Sequence, residues 1–258
     1  MQISIFATNS NKAEYIKSLI VNECFKYGFA INDENPDIIF YIGGDGTFLR
    51  AVQNNIDRLD NVKFIGINSG TLGYFYDADY NDVQDIFTRL NNDALIENEI
   101  PLLMGHAIKG EESVEFYAVN EIQVVSHGTS LRCDVSINDE YFQRYVGSGL
   151  IISSPYGSSG VNKSFNGPVL NNNLPCIAVT PIGPINNNVY HSFTSSLVLH
   201  KDDVVMISNN INNATIIFDN DKIDDFYDQL FVTTSSAYVR VLFREKRDNL
   251  IPLRRSFL

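Results

Sequence analysis

The run Gly43-Gly44-Asp45-Gly46-Thr47 follows a continuous apolar stretch, Asp37 to Ile42, and precedes a helical pattern through Phe48, Leu49, Val52 and Ile56. Glycines at the end of a strand let the backbone turn tightly and approach a ligand without a Cβ in the way. The helix that follows offers free amides and the positive end of its dipole, which suits a phosphate. Asp45 stands at the carboxyl end of a sheet strand, where ligands bind in open α/β sheets. A carboxylate there can orient a hydroxyl and accept its proton as a new bond forms at phosphorus, a contribution of about 10²- to 10⁴-fold.

Other chemical patterns are less complete. Gly157-x4-Asn162-Lys163-Ser164 nearly spells a phosphate loop, but Asn replaces the second glycine and the surroundings read as sheet rather than a strand–helix–strand unit. A phosphate contact from Ser158 to Ser164 at a helix N-terminus fits the hydroxyl-rich composition. Asp219-Asn220-Asp221 opens like a calcium loop, yet Ile223 and Asp224 stand where a ligand and the turn glycine belong, so this acidic stretch reads as a solvated face. His106, His127, His191 and His200 lack metal-ligand spacing, and Cys24, Cys133 and Cys176 form no C-x-x-C pair, so no side-chain metal cluster and no disulfide framework is expected.

These residues must be positioned by elements, and the elements change character along the chain. Up to about residue 98 strand and helix patterns alternate: Ile3–Ala7, a helix capped near Ser10 and running to about Tyr27, the strand before Gly43, a strand over 62–67 and a helix over 81–90. Alternation of this kind predicts a doubly wound α/β domain. After Pro101 short β-rich runs appear at 102–109, 114–126, 131–137, 149–154, 176–181, 203–208, 214–219 and 237–243, with helix only after Pro155. That grammar predicts an antiparallel sandwich. The fold expected is α/β plus all-β: an α/β domain over 1–98, rejoined by about 235–258, and a β-sandwich over 99–234.

Composition narrows the partners. The 258-residue chain carries a formal net charge of −12, which disfavours nucleic acid and anionic membranes. An anionic ligand must then be held by backbone amides and a few placed cations. Five basic residues (Arg244, Lys246, Arg247, Arg254, Arg255) gather near the end against Glu245 and Asp248, a pattern read as a solvated end. The opening Met1-Gln2-Ile3-Ser4-Ile5-Phe6 reads as a strand rather than a targeting peptide, and no apolar run reaches the length of a membrane span, so a cytoplasmic protein is expected.

Four ordered segments together resemble the NAD kinases. Gly43-Gly44-Asp45-Gly46-Thr47 is similar to their signature, shared more loosely with lipid and sugar kinases; Gly66-Ile67-Asn68-Ser69-Gly70-Thr71-Leu72-Gly73-Tyr74 to their second glycine loop; Asn120-Glu121 to their ribose-binding pair; and Gly147-Ser148-Gly149 through Ser164 to their long hydroxyl loop. Pro184-Ile185-Asn186-Asn187 also fits. The resemblance spans about residues 40 to 255 and implies transfer of the ATP γ-phosphoryl group to the 2′-hydroxyl of the adenosine ribose of NAD. It implies ATP with Mg²⁺ as donor, NAD as acceptor and assembly as a dimer or tetramer.

The same resemblance assigns the carboxylate role to Asp45. It assigns nucleotide contacts to Gly44, Gly46, Thr47, Asn68, Leu72, Gly73, Tyr74, Asn120, Glu121, Ser148, Ser158, Ser159, Gly160, Val161, Asn162, Lys163, Ser164 and Gly183. This chain departs from the family's pattern in three places. The family's Gly-Asp-Gly reads Gly147-Ser148-Gly149, its Ala-Tyr reads Gly160-Val161, and a basic residue is replaced by Val146. All three changes fall on the nicotinamide end of the implied site. The rival readings are a related kinase of a lipid or sugar alcohol, against which Asn120-Glu121 argues, and a weakly active NAD(P)-binding regulator, against which Asp45 argues.

Overall fold

The computed structural model describes residues 1–70, 73–126, 128–225, 227–246 and 250–255. Two compact units emerge, Met1–Ile100 with Ala237–Leu258, and Pro101–Ser236.

The first unit contains β1 (Gln2–Ala7), α1 (Asn11–Tyr27), β2 (Ala30–Ile31), β3 (Ile38–Gly43), α2 (Asp45–Gln53), β4 (Lys63–Asn68) and α3 (Val83–Asn91). Its strands run parallel in the order β2-β1-β3-β4. Every residue of β3 is buried, because both faces of the sheet are covered. Ile38, Phe40 and Ile42 point into a core shared with Ile16, Ile20, Ile86 and Phe87 of α1 and α3. Tyr41, on the other face, packs on Phe48 of α2. Ser10 caps α1 by accepting the Ala13 amide at 3.2 Å.

The second unit begins within β5 (Ile96–Lys109) and holds β6 (Glu112–Ala118), β7 (Glu121–Ser126), β8 (Leu131–Ile137), β9 (Glu140–Gly147), β10 (Gly149–Ser153), α4 (Val161–Ser164), β11 (Cys176–Ile182), β12 (Leu197–His200), β13 (Val205–Ser208), β14 (Ala214–Phe218) and β15 (Asp221–Ile223). The long strand β16 (Gln229–Phe243) starts here and ends in the first unit, beside β4 at Val241 and Phe64, before α5 (Leu250–Arg255). One sheet has the order β12-β11-β10-β7-β14-β15, antiparallel throughout. It packs across a core of Ile122, Val124, Leu150, Ile152, Ile177 and Val179 against Cys133, Val135, Tyr145, Ile207, Leu230 and Val232 of the strands β8, β9, β13 and β16. The combination of an α/β unit and a β-rich unit, with the chain's end returning to the former, is the fold read from the sequence.

The structure corrects several details. The run 114–126 is two strands, broken at Val119 and Asn120. Strands β9, β12 and β15 were not anticipated, and β16 starts well before residue 237.

Candidate functional site

Asp45 opens α2, and its half-buried carboxylate is held by the loop after β4. The Tyr74 amide donates to Oδ1 at 2.7 Å and to Oδ2 at 2.9 Å, and the Phe75 amide donates to Oδ1 at 3.2 Å. Aromatic packing fixes those amides in turn. The Phe75 ring stacks on Phe48 with centroids 4.4 Å apart, and the Tyr41 hydroxyl donates to the Phe75 carbonyl. Gly66 makes room for this strut, since a Cβ there would stand 2.4 Å from Tyr41 Oη. Further along, Arg244 donates its amide to Asp77 Oδ2 at 2.7 Å and its guanidinium to Asp82 Oδ1 at 2.5 Å. Arg244 is therefore a clamp on the loop, which corrects the reading of the basic stretch as solvated from its start. Arg247 and Asp248 lie outside the described residues.

The other predicted residues of this unit are near one another. Thr47 is buried, while Gly44, Asn68, Gly73 and Tyr74 are half-buried and Gly46 is exposed. Asn68 Oδ1 accepts the Gly70 amide at 2.6 Å and so shapes the start of its loop. Leu72 lies outside the described residues. A carboxylate with about four lone-pair directions can keep amide donors and still receive a hydroxyl.

In the second unit Asn120 and Glu121 sit at one end of the six-stranded sheet, where β7 begins, β10 ends and β14 ends. Ser154 holds the backbone just before Glu121 from the β10 side: its amide donates to the Asn120 carbonyl at 2.8 Å and its hydroxyl to the Val119 carbonyl at 2.6 Å. Gly157 lies so close that a Cβ would stand 2.2 Å from the Asn120 oxygen. From the β14 side the Asp219 carboxylate accepts the Val119 and Asn120 amides, each at 2.8 Å. This overturns the reading of Asp219 as part of a solvated acidic face; no local signal marked it, because its partners lie a hundred residues away in the chain.

Two features of this end look toward a ligand. Asn120 Oδ1 is buried and has no hydrogen-bond partner among the described residues, a costly state that a donor on a ligand would relieve. Glu121 is 5% exposed. Burial pushes its carboxyl up to about 8, the Asp219 charge adds to this, and the Gln123 amide opposes it. Glu121 is thus mostly neutral at pH 7 and able to donate a hydrogen bond.

The hydroxyl loop divides into inward and outward residues. Ser158 and Asn162 are fully buried. The Ser158 hydroxyl donates to the Pro155 carbonyl at 2.6 Å and accepts the Leu170 amide at 2.9 Å. Asn162 donates to the Pro168 carbonyl at 2.9 Å and accepts the Thr180 hydroxyl at 2.7 Å. These two side chains are committed to the loop's own shape. Ser159 and Lys163 are half-buried, and Gly160, Val161 and Ser164 are exposed.

Ser148 and Gly183 lie at the other end of the sheet from Asn120 and Glu121. In register, Glu121 pairs with Ser153 whereas Gly149 pairs with Val125 and Ile182, so about four residue steps of roughly 3.4 Å separate the two ends. Ser164 and Gly183 line a cavity of about 630 Å³ with Phe165, Pro181, Thr194 and Ser196. Among the described residues no charged group lines it. Among the described residues no group of three or more His, Cys, Asp or Glu side chains is placed to hold a metal ion, and no helix is long and apolar enough to cross a membrane.

Comparison with known proteins bears on this arrangement. Residues 7–95 match the profile described as ATP-NAD kinase N-terminal domain, and residues 117–244 the ATP-NAD kinase C-terminal domain. A protein named NAD kinase from Leuconostoc citreum is 30% identical over 224 residues, 86% of this chain and 84% of the relative. NAD kinase of Staphylococcus aureus is 32% identical over 220 residues, 84% of this chain and 81% of the relative. Among solved structures, yeast NADH kinase complexed with NADH aligns with a TM-score of 0.84 at 16% identity, covering 100% of this chain and 86% of that one. An NAD kinase from Archaeoglobus fulgidus in complex with ATP aligns with a TM-score of 0.77 at 18% identity, covering 99% and 98%. Both structures share the two-part fold.

Proposed function

The chain belongs to the NAD kinase family, and from that premise we propose how its residues carry out transfer of the ATP γ-phosphoryl group to the 2′-hydroxyl of the adenosine ribose of NAD, giving NADP. The observation that carries the reading is Asp45, a carboxylate at a strand's carboxyl end held in place by two backbone amides of a packed loop. It orients the ribose hydroxyl and takes its proton as the new oxygen–phosphorus bond forms and the bond to ADP breaks. The remainder of the barrier is lowered by positioning and by charge neutralisation, with ATP entering as its Mg²⁺ complex.

Asn120 and Glu121 supply one buried acceptor and one donor, a pairing suited to ribose hydroxyls, which both donate and accept. Ser158 and Asn162 shape the loop that presents Ser159, Gly160, Val161, Lys163 and Ser164. Gly44, Gly46, Thr47, Asn68, Gly73 and Tyr74 form the phosphate- and adenosine-facing backbone, and Leu72 is assigned to the nucleotide by the family resemblance alone. Ser148 and Gly183, at the far end of the sheet, serve the nicotinamide half without a charge. The enzyme works in the cytoplasm as a dimer or tetramer. Incubating the protein with NAD, ATP and Mg²⁺ and measuring NADP tests the reaction: NADP formed in proportion to ADP is expected, and ADP release without NADP would remove NAD as the acceptor.

A further inference from the structure

Among the described residues Asp219 is the charged side chain that grips the backbone entering the Asn120–Glu121 pair, and it does so from an unusual backbone conformation. Its φ of +50° places it in the left-handed region, which residues other than glycine, asparagine and aspartate seldom enter. That backbone turn aims three groups of one residue at one segment. Oδ2 accepts the Val119 amide, Oδ1 accepts the Asn120 amide, and the Asp219 amide donates to the Glu121 carbonyl at 3.1 Å.

We propose that Asp219 is a positioning residue, acting on the nucleotide substrate through Asn120 and Glu121 by fixing the backbone that carries them and by setting the charge their surroundings tolerate. The inference rests on the assignment of that pair to the ribose. Two consequences follow from the geometry. With the Val119 and Asn120 amides and the Glu121 carbonyl all tied to Asp219, the backbone from which the Asn120 carboxamide projects is fixed. Burial first, and the nearby Asp219 charge second, hold the Glu121 carboxyl in its protonated form. The Gln123 amide on its own strand donates to Glu121 Oε1 at 3.4 Å, and Ser153 is its partner on β10. Without Asp219 the carboxyl of Glu121 would ionise at lower pH and lose the proton it donates.

The test is Asp219→Asn, which keeps the shape and tolerates positive φ but removes the charge and one acceptor. The KM for NAD is expected to rise at least 10-fold near pH 7.5, with kcat and the KM for ATP within threefold. Because Glu121 becomes more acidic, the KM for NAD should fall back toward the parent value as the pH is lowered to about 6. The double variant Glu121→Gln/Asp219→Asn should show no such recovery. If Asp219→Asn does not fold, Asp219→Gly, which accepts φ of +50° without strain, carries the same expectations. An unchanged KM for NAD, or parallel changes in kcat and both KM values with no acid recovery, overturns the role of Asp219. Asn120→Ala separates the two levels. If it too leaves the KM for NAD unmoved, the assignment of the pair has failed. If it raises the KM while Asp219→Asn does not, only the positioning role has failed.

Discussion

Asp45 and Glu121 are two carboxyl groups that the fold treats in opposite ways. The first receives amide donors at 2.7, 2.9 and 3.2 Å at the start of a helix, where a negative charge is stabilised. The second is buried against Asp219 and mostly carries its proton. Asp45→Asn keeps the volume and a single acceptor, so nucleotide binding should survive while kcat falls by 10²-fold or more. Steady-state kinetics with both substrates checks this, and a kcat within threefold of the parent would assign the base elsewhere. For Glu121 the consequence is in stability. Its folded pKa lies above its unfolded one, so its stabilising contribution is complete below about pH 4.5 and is lost as the pH rises through about 8. Glu121→Gln should erase that part of the pH dependence. Urea unfolding at pH 5 and pH 9 should show the parent losing a few kcal/mol more than the variant across the window.

At the scale of elements, the same residues show what a sequence can reveal. The strand before Gly43 was legible because a parallel strand covered on both faces must be apolar at every position, and all six residues of β3 are buried. The break at Val119–Asn120 was not legible. A β-rich run from 114 to 126 carries no glycine or proline to mark it, and the backbone groups freed there are satisfied by Ser154 and Asp219 from distant strands. Strand β9 was missed because it is a sheet edge whose exposed first half mixes charged and aromatic residues without a regular alternation. Asp45 was readable from its glycine-rich setting, whereas Asp219 had only acidic neighbours to suggest a surface role. The break also gives a prediction. A methyl group at Gly157 would stand 2.2 Å from the Asn120 carbonyl oxygen, so Gly157→Ala must displace Asn120 or the loop. A loss of about 1–3 kcal/mol by urea unfolding, with a raised KM for NAD and little change for ATP, is expected. Full stability would mean that the loop yields without strain.

For the whole molecule, a net charge of −12 keeps copies apart in solution unless a surface draws them together. One edge on the second unit has the chemistry for it. Strand β9 ends its sheet and leaves Tyr141 65% and Phe142 43% exposed, and a sheet edge with bare aromatic groups is a template for pairing. The Phe142 ring also meets Phe193 edge-on, with centroids 5.8 Å apart, so the patch is preorganised. A second copy seated on this edge would add contacts to a chain in which Ser148 and Gly183 are separated from Asn120 and Glu121 by the length of β10. The double substitution Tyr141→Asp and Phe142→Asp, placing charge on the edge, should leave only the 29.0 kDa chain in sedimentation at concentrations where the parent assembles. The KM for NAD should rise with dissociation, and the KM for ATP should hold. An oligomer that survives both substitutions places its interface elsewhere. A parent that sediments as a single chain at micromolar concentration removes assembly from the account, and the nicotinamide half must then be served by Ser148 and Gly183 of the same chain.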